Sequence, residues 1–191
     1  MVFGQQLKSV QIESLHYIPA GSCILIVGGG TGWILEEIAN LFPSGLEITY
    51  IDKSSKMIEL SKKRNYQLNT VEFINAPLED TSLKHDYYNV ILTPFFLDCF
   101  SQPTFEVVSE KLDKSLNPLG LWLYIDFYLS AQSTFMQKIL VKFMYTFFRL
   151  ASRIEARKLP DIDSYFSTYN VLAKKMYYHN FIQLQVLQKS K

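Results

Sequence analysis

The sequence predicts an α/β fold in which a mostly parallel, doubly wound sheet is covered by helices on both faces. Short apolar segments rich in β-branched residues alternate with longer segments whose apolar residues recur at helical spacing. Such alternation is typical of parallel strands joined by crossover helices. A composition of 48% hydrophobic and 19% charged residues indicates a globular protein with a substantial core.

Each element follows from this periodicity and from the turn residues that interrupt it. Pro19 and Gly21 end the first helix, Pro43 to Gly45 ends the second, and Ser54 is predicted to cap the third. The predicted helices cover residues 5–17, 32–42, 54–64, 103–116, 133–156 and 161–178. The predicted strands cover residues 24–27, 46–51, 71–74, 89–93, 121–127 and 181–187.

Composition and charge exclude several classes of protein. A formal net charge of +1 gives no electrostatic reason to expect nucleic-acid binding. Two cysteines, Cys23 and Cys99, form no CxxC motif, so neither a disulfide framework nor a structural zinc site is expected. The sequence has no signal-peptide pattern and no apolar stretch of membrane-spanning length, so we expect a cytoplasmic protein. We also expect no metal, because the chain has no Cys/His cluster.

The most informative stretch is the turn after the first strand, which contains Gly28, Gly29, Gly30 and Gly32. Glycine allows positive φ and close approach of a ligand to backbone N–H groups, and the next helix points its positive end at the same place. No Lys-Ser/Thr pair follows Gly32, which argues against a triphosphate-binding loop. A dinucleotide fingerprint would require glycine at position 33, where the chain has Trp33.

The remaining pattern, Gly28-x-Gly30-x-Gly32, resembles the Rossmann-like, class I S-adenosylmethionine-dependent methyltransferases. Asp52 strengthens the resemblance because it ends the second predicted strand, one helix after the glycine turn. The resemblance implies that the turn wraps the methionine part of S-adenosylmethionine and that Asp52 binds the ribose hydroxyls.

Further landmarks extend this resemblance over residues 22–127. The other cofactor-binding residues that it implies are Lys53 and Met57 after the second strand, Asn75 and Ala76 after the third, and Thr93 at the end of the fourth. Three departures stand out. Ile26 occupies a position that is usually acidic, Asn75 replaces a commoner aspartate, and only one strand is predicted after residue 180. The usual seventh strand of the family is therefore expected to be absent, which would leave an edge for a partner such as a second copy of the chain.

Two carboxylates are candidates for general-base catalysis if the acceptor must lose a proton. Asp98 follows the fourth strand and Asp126 lies near the end of the fifth, and both follow apolar runs that would raise their pKa through burial. The alternative is that both acids cap helices or form structural hydrogen bonds.

We expect one domain over residues 1–191. It would comprise an N-terminal helix (1–20), a cofactor-binding core (21–128), a helical lid for the substrate (129–180) and a last strand (181–191). Residues 131–158 combine a basic stripe with many aromatic residues. This segment would be a helix packed on the sheet, a lid over an apolar acceptor, or an amphipathic helix in peripheral contact with a membrane.

The predicted function is methyl transfer to a small-molecule acceptor that is aromatic or lipophilic. Two alternatives are a protein that binds S-adenosylmethionine without transferring its methyl group, and a nicotinamide-dependent reductase. Trp33 and the absence of a Tyr-x-x-x-Lys pair disfavour the reductase.

Overall fold

The computed structural model describes residues 2–129 and 160–190. Within these residues seven strands form one sheet in the order β3-β2-β1-β4-β5-β7-β6. The strands are β1 (Cys23–Val27), β2 (Ser44–Ile51), β3 (Leu68–Ile74), β4 (Tyr88–Pro94), β5 (Leu116–Phe127), β6 (Asn170–Tyr177) and β7 (Ile182–Gln188). Strands β1 to β5 pair in parallel, whereas β7 runs antiparallel to both β5 and β6. The predicted fold class, α/β with a mostly parallel sheet, is confirmed.

Five helices occur in the described part of the chain, and the second, third and fourth of them connect parallel strands, as predicted. They are α1 (Val2–Leu15), α2 (Trp33–Leu41), α3 (Ser55–Ser61), α4 (Gln102–Ser115) and α5 (Ile162–Tyr165), with short 3₁₀ turns at Leu78–Asp80, Leu97–Cys99 and Phe166–Thr168. Ser54 caps α3 as predicted, since its side chain accepts a hydrogen bond from the Met57 backbone N–H.

Strand β1 is buried on both faces and divides the core in two. Ile24 and Ile26 pack into a cluster that includes residues of α1 and α2, whereas Leu25 and Val27 pack into a second cluster with residues of α4. Successive side chains of a strand point to opposite faces, so this alternation places helices on both sides of the sheet.

Two predictions for the C-terminal part of the chain were wrong. The expected absence of a seventh strand is contradicted by the β6–β7 hairpin, which completes the sheet. The helix predicted over residues 161–178 is only the single turn α5, followed by a 3₁₀ turn and then β6. Good helix formers such as Leu172 and Ala173 favoured the helix, but β6 pairs with β7 along its whole length, and tertiary pairing overrides a weak local propensity.

Glu13 links α1 to β6, the strand at the edge of the sheet. Its carboxylate accepts hydrogen bonds from the Lys175 ammonium and the Tyr177 hydroxyl, both at 2.6 Å. The bond from Lys175, and then that from Tyr177, holds the pKa of Glu13 below its usual value. The N-terminal helix therefore fixes the strand that the sequence did not predict.

Several expectations concern residues that the structure does not describe, or features that it leaves untested. The predicted helix over 133–156 and the lid or membrane contact of 131–158 lie outside the described residues, and the homodimer stays a prediction. No helix within residues 2–129 and 160–190 is both long and apolar enough to cross a bilayer.

Candidate active site

The predicted site lies at the carboxyl end of β1, which has β2 on one side and β4 on the other. The strand order reverses at β1, and ligands of open α/β sheets bind at this kind of crevice. The glycine turn leaves β1 here. The loops after β2, β3 and β4 begin at the same edge of the sheet, because these strands are parallel to β1.

The backbone of the turn explains most of its glycines. Gly28, Gly30 and Gly32 have φ of 68°, 63° and 74°, a region that residues with a Cβ rarely adopt. The Gly28 N–H donates to the Ile51 carbonyl at 2.9 Å, which ties the start of the turn to β2. Gly32 is the N-cap of α2, so the turn passes directly into the helix.

Gly29 has a different reason to be glycine, which the sequence analysis missed. It does not share the positive φ, but a Cβ there would lie 2.4 Å from the ring of Tyr50. Tyr50 is fully buried, and its hydroxyl donates to the Gly30 carbonyl at 3.1 Å. Burial, together with the charge of Asp52, raises the pKa of Tyr50, so this hydroxyl keeps its proton and remains a donor. Tyr50 therefore stabilises the turn through its ring contact with Gly29 and its hydrogen bond to Gly30.

Asp52 lies beside the turn, as predicted. Its Oδ2 accepts a hydrogen bond from the Gly30 N–H at 3.0 Å, and its Oδ1 accepts one from the Ser54 N–H at 2.8 Å. The side chain is only partly buried. Since a carboxylate oxygen can accept two hydrogen bonds, each oxygen retains the capacity to accept one more.

Met57, one of the five other predicted cofactor residues, is partly buried on α3, where its N–H donates to Ser54, and the remaining four fall into two groups. Asn75 lies next to Asp52, and its Nδ2 donates to the Asp52 carbonyl at 3.0 Å. This bond turns the Oδ1 of Asn75 away from that carbonyl. Lys53 and Ala76 flank these two residues along the chain. Thr93, by contrast, is fully buried and its hydroxyl accepts a hydrogen bond from Trp122 at 2.9 Å.

The two predicted acids, Asp98 and Asp126, come together at the ends of β4 and β5. The Asp98 N–H donates to Asp126 Oδ2 at 3.1 Å, and the Phe127 N–H donates to Asp126 Oδ1 at 2.9 Å. Asp98 is 5% exposed and Asp126 is fully buried. The Cys99 thiol donates to Asp98 Oδ1 at 3.4 Å.

Burial gives both acids a raised pKa. It raises the pKa of Asp98 to about 6, and hydrogen bonds from the side chains of Cys99 and Asp126 to Asp98 oppose this rise. Burial, followed by repulsion from Asp98, raises the pKa of Asp126. The two carboxyls therefore titrate as a pair, and the pair retains a proton at pH values at which an isolated aspartate has lost it.

Phe95 and Phe96 are site residues that the sequence analysis missed. Phe95 has a φ of 52°, which is an outlier for a bulky residue, and its ring packs on Phe127 with centroids 4.9 Å apart. The Phe96 ring instead lies over Gly28, where a Cβ would be 2.6 Å from Phe96 Cδ2. It also meets the ring of Phe100 edge to face at 5.0 Å. The available signal was the Phe-Phe pair directly after the fourth strand.

No group of three or more His, Cys, Asp or Glu side chains suited to a metal ion occurs among the described residues. The geometry at this edge consists of an open glycine turn, a carboxylate beside it, and a carboxyl pair next to partly exposed aromatic rings.

Comparison with known proteins identifies the family of the chain. Residues 24–120 match the model of the methyltransferase domain family. The malonyl-[acyl-carrier protein] O-methyltransferase of Priestia megaterium is 33% identical over 114 residues, which cover 60% of this chain and 40% of that protein. The ubiquinone/menaquinone biosynthesis C-methyltransferase UbiE of Geotalea daltonii is 37% identical over 87 residues, covering 44% of this chain and 37% of that protein.

The fold agrees with this match. The solved structure of a SAM-dependent methyltransferase from Aquifex aeolicus superposes with a TM-score of 0.61 at 14% identity, covering 95% of this chain and 88% of that one. The aligned part of the chain corresponds to less than half the length of the two curated relatives. The family match covers the glycine turn, Asp52 and β1 to β4, and the chain belongs to the class I S-adenosylmethionine-dependent methyltransferases.

Proposed function

We propose that this chain binds S-adenosylmethionine at the glycine turn and transfers its methyl group to a small aromatic or lipophilic acceptor. The observation that carries the proposal is the hydrogen bond of Asp52 with the Gly30 N–H, which sets a partly exposed carboxylate beside a turn of backbone donors. The nicotinamide-dependent reductase is set aside because the chain belongs to the methyltransferases.

The residues present fit this cofactor. No described heavy atom lies within 4 Å of the position that a Cβ would take at Gly30, so this side of the turn is open to a ligand. Asp52 retains acceptor capacity for two ribose hydroxyls. Asn75 directs its Oδ1 away from the Asp52 carbonyl, where it can accept a hydrogen bond from an amino group of adenine. When bound, S-adenosylmethionine supplies a methyl group on a sulfonium, which is already activated for displacement.

The protein then has two tasks, which are to orient the acceptor and to take its proton. Orientation of a nucleophile about 3 Å from its target accounts for much of the rate in such reactions. For the proton we propose Asp98, because it retains some exposure whereas Asp126 has none. Asp126 would hold the Asp98 carboxylate in place by the hydrogen bond between the two side chains, which uses the proton that the pair retains.

Calorimetry with S-adenosylhomocysteine and with NADH tests the binding proposal. We expect binding of the first compound and none of the second. Asp52→Asn should bind S-adenosylhomocysteine about tenfold or more weakly, since hydrogen bonds to a charged group are lost. Glu59→Gln, an exposed acid on α3, is the matched control and should bind normally. Binding of NADH alone, or equal loss in both variants, would contradict the proposal.

A second candidate function is cofactor binding without methyl transfer. It is favoured by Ile26, which is fully buried in the core at the position where the family usually has an acid. Transfer of a labelled methyl group to any component of a metabolite extract would exclude this candidate. Binding of S-adenosylhomocysteine without any labelled product would support it.

A further inference from the structure

The proposed methyl transfer leaves the acceptor undefined, and the inference that follows rests on that function. We propose that Phe96 and Phe100 form the acceptor-binding surface, and that the acceptor is a planar aromatic compound with an ionisable hydroxyl group. Phe96, Phe100 and Asp98 all belong to the turn over residues 94–100 that follows β4.

Phe96 is placed where an acceptor must bind. Its ring lies over Gly28, in the space that any side chain at position 28 would occupy. The ring therefore borders the turn to which the cofactor is assigned. Phe96 remains only partly buried, so part of the ring is available for contact.

Phe100 completes an aromatic corner with Phe96. The two ring centroids are 5.0 Å apart and the ring planes meet at 79°, which is the edge-to-face arrangement that aromatic pairs prefer. Both side chains are partly buried. A third planar ring can stack on one of these rings while meeting the other edge-on, and this geometry selects flat ligands.

The backbone is strained at the point that orients this corner. Phe95 adopts a φ of 52°, and it is held there by a hydrogen bond from its N–H to the Ile125 carbonyl at 2.8 Å and by its ring contact with Phe127. Strain of this kind persists where surrounding contacts impose it, and it concentrates at functional sites. In this turn it sends the ring of Phe95 to the Phe127 side of the sheet and that of Phe96 to Gly28.

The carboxyl pair indicates which chemical group the ring carries. Asp98 lies two residues after Phe96, and burial gives it a pKa close to neutral. As it accepts the methyl group, a phenol can lose its proton to the Asp98 carboxylate, which leaves a methyl ether and a neutral carboxylic acid. A carboxylate acceptor has no proton to lose at neutral pH, and Asp98 would repel its charge.

The test uses 4-nitrophenol as a probe, because its phenolate absorbs visible light. Cofactor-free protein is titrated with 4-nitrophenol, and with benzoate as the anionic comparison, while protein fluorescence reports binding and absorbance reports ionisation. We expect 4-nitrophenol to bind as the neutral phenol and to ionise less in the protein than in buffer, because the Asp98 carboxylate accepts a hydrogen bond from its hydroxyl and repels the phenolate, and we expect benzoate to bind more weakly. Phe96→Leu and Phe100→Leu should each weaken 4-nitrophenol binding about fivefold to tenfold. Phe42→Leu, at the far end of α2, should leave it unchanged.

Asp98→Asn separates the two parts of the inference. This variant should still bind the probe, but the suppression of probe ionisation should be lost, because the charge of Asp98 is removed. Thermal melting of each variant establishes that it is folded, and the two phenylalanine variants provide independent tests if one of them does not fold.

Equal affinity for benzoate and 4-nitrophenol would overturn the inference, as would normal probe binding by both phenylalanine variants. Calorimetry with S-adenosylhomocysteine on the same samples keeps the two proposals apart. If that ligand binds and the probe does not, the acceptor assignment fails while the proposed function stands. If that ligand does not bind, the proposed function fails.

Discussion

The fit between Gly29 and Tyr50 gives the sharpest test of how the glycine turn is built. Replacing Gly29 by alanine adds one Cβ, which would lie 2.4 Å from the Tyr50 Cζ and hydroxyl oxygen. Gly29 does not share the positive φ of Gly28, Gly30 and Gly32, so alanine is compatible with its backbone. The cost of Gly29→Ala therefore arises from the side-chain contact.

The size of the effect follows from the burial of Tyr50. The ring is fully buried, and its hydroxyl is bonded to the Gly30 carbonyl, so it has little room to move away. Overpacking of this kind costs about 1–3 kcal/mol. In a Tyr50→Val background the clashing atoms are absent. There Gly29→Ala should stabilise the chain by about 0.4–1 kcal/mol, because alanine restricts the unfolded state. The coupling between the two changes is therefore about 1.5–4 kcal/mol.

Urea unfolding of four proteins measures this coupling: the unmodified chain, each single variant and the double variant. Tyr50→Val alone should cost about 2–4 kcal/mol through the cavity that it leaves. Gly21→Ala is the matched control, since its Cβ meets no described atom, its φ of 73° imposes strain of about 1–2 kcal/mol, and it lies before the start of β1, away from Tyr50. That strain should be the same in both backgrounds. If Gly29→Ala costs the same in the unmodified chain and in the Tyr50→Val background, within about 0.5 kcal/mol, the reasoning is wrong.

Three further predictions concern charge and hydrogen bonding. Burial raises the pKa of Asp98 from 3.8 to about 6, so the folded chain retains a proton that the unfolded chain has lost, and the free energy of unfolding falls as pH rises through this window. Asp98→Asn should remove about 2 kcal/mol of that fall, measured as the difference from the unmodified chain in urea titrations at pH 4 and pH 7. Asn75→Ala should weaken S-adenosylhomocysteine binding about threefold to tenfold in calorimetry, because it removes both the donor to the Asp52 carbonyl and the acceptor proposed for the adenine amino group. Glu13 has a lowered pKa because Lys175 and Tyr177 donate to it, so it stabilises the fold at neutral pH and loses this effect as pH falls below its usual pKa. Glu13→Gln should reduce the free energy of unfolding by up to about 1 kcal/mol at pH 7 and by less at pH 3.

The central strands could be predicted because burial leaves a clear pattern in the sequence. Residues 24–27 are apolar at every position since both faces of β1 contact helices, and a run of this length before a glycine turn is too short for a helix. The order of strands and helices along the chain then placed Asp52 beside the turn, as the structure confirms.

Strand β6 could not be predicted in the same way because it lies at the edge of the sheet. Its side chains are mostly exposed, so alternation between apolar and polar residues is weak. Leu172, Ala173 and the lysines that follow favour a helix in isolation. This segment is a strand because it pairs with β7, and Glu13 of α1 adds a contact to it. Neither partner belongs to the segment itself, so the local sequence does not reveal them.

The site was predictable where it depends on backbone and not where it depends on pairs of side chains. Three positions of the turn have a positive φ, which favours glycine, so the glycines themselves mark the turn in the sequence. The contact of Tyr50 with Gly29 depends on two strands meeting in a particular register. One signal was available, since Gly29 is a glycine that neither family spacing nor backbone geometry requires.

The cofactor side of the site depends mainly on backbone groups, whereas the proposed acceptor side depends on side chains, so substitutions affect the two sides differently. The cofactor side consists of backbone groups of the turn and the carboxylate of Asp52, which is fixed by two backbone N–H donors. The acceptor side, as proposed, consists of side chains on the turn over residues 94–100. Substitutions in that turn alter ring shape and proton affinity without moving Gly30 or Asp52. Variants of Phe96 and Phe100 should therefore change acceptor affinity while leaving cofactor affinity intact, and variants of Asp52 should do the reverse.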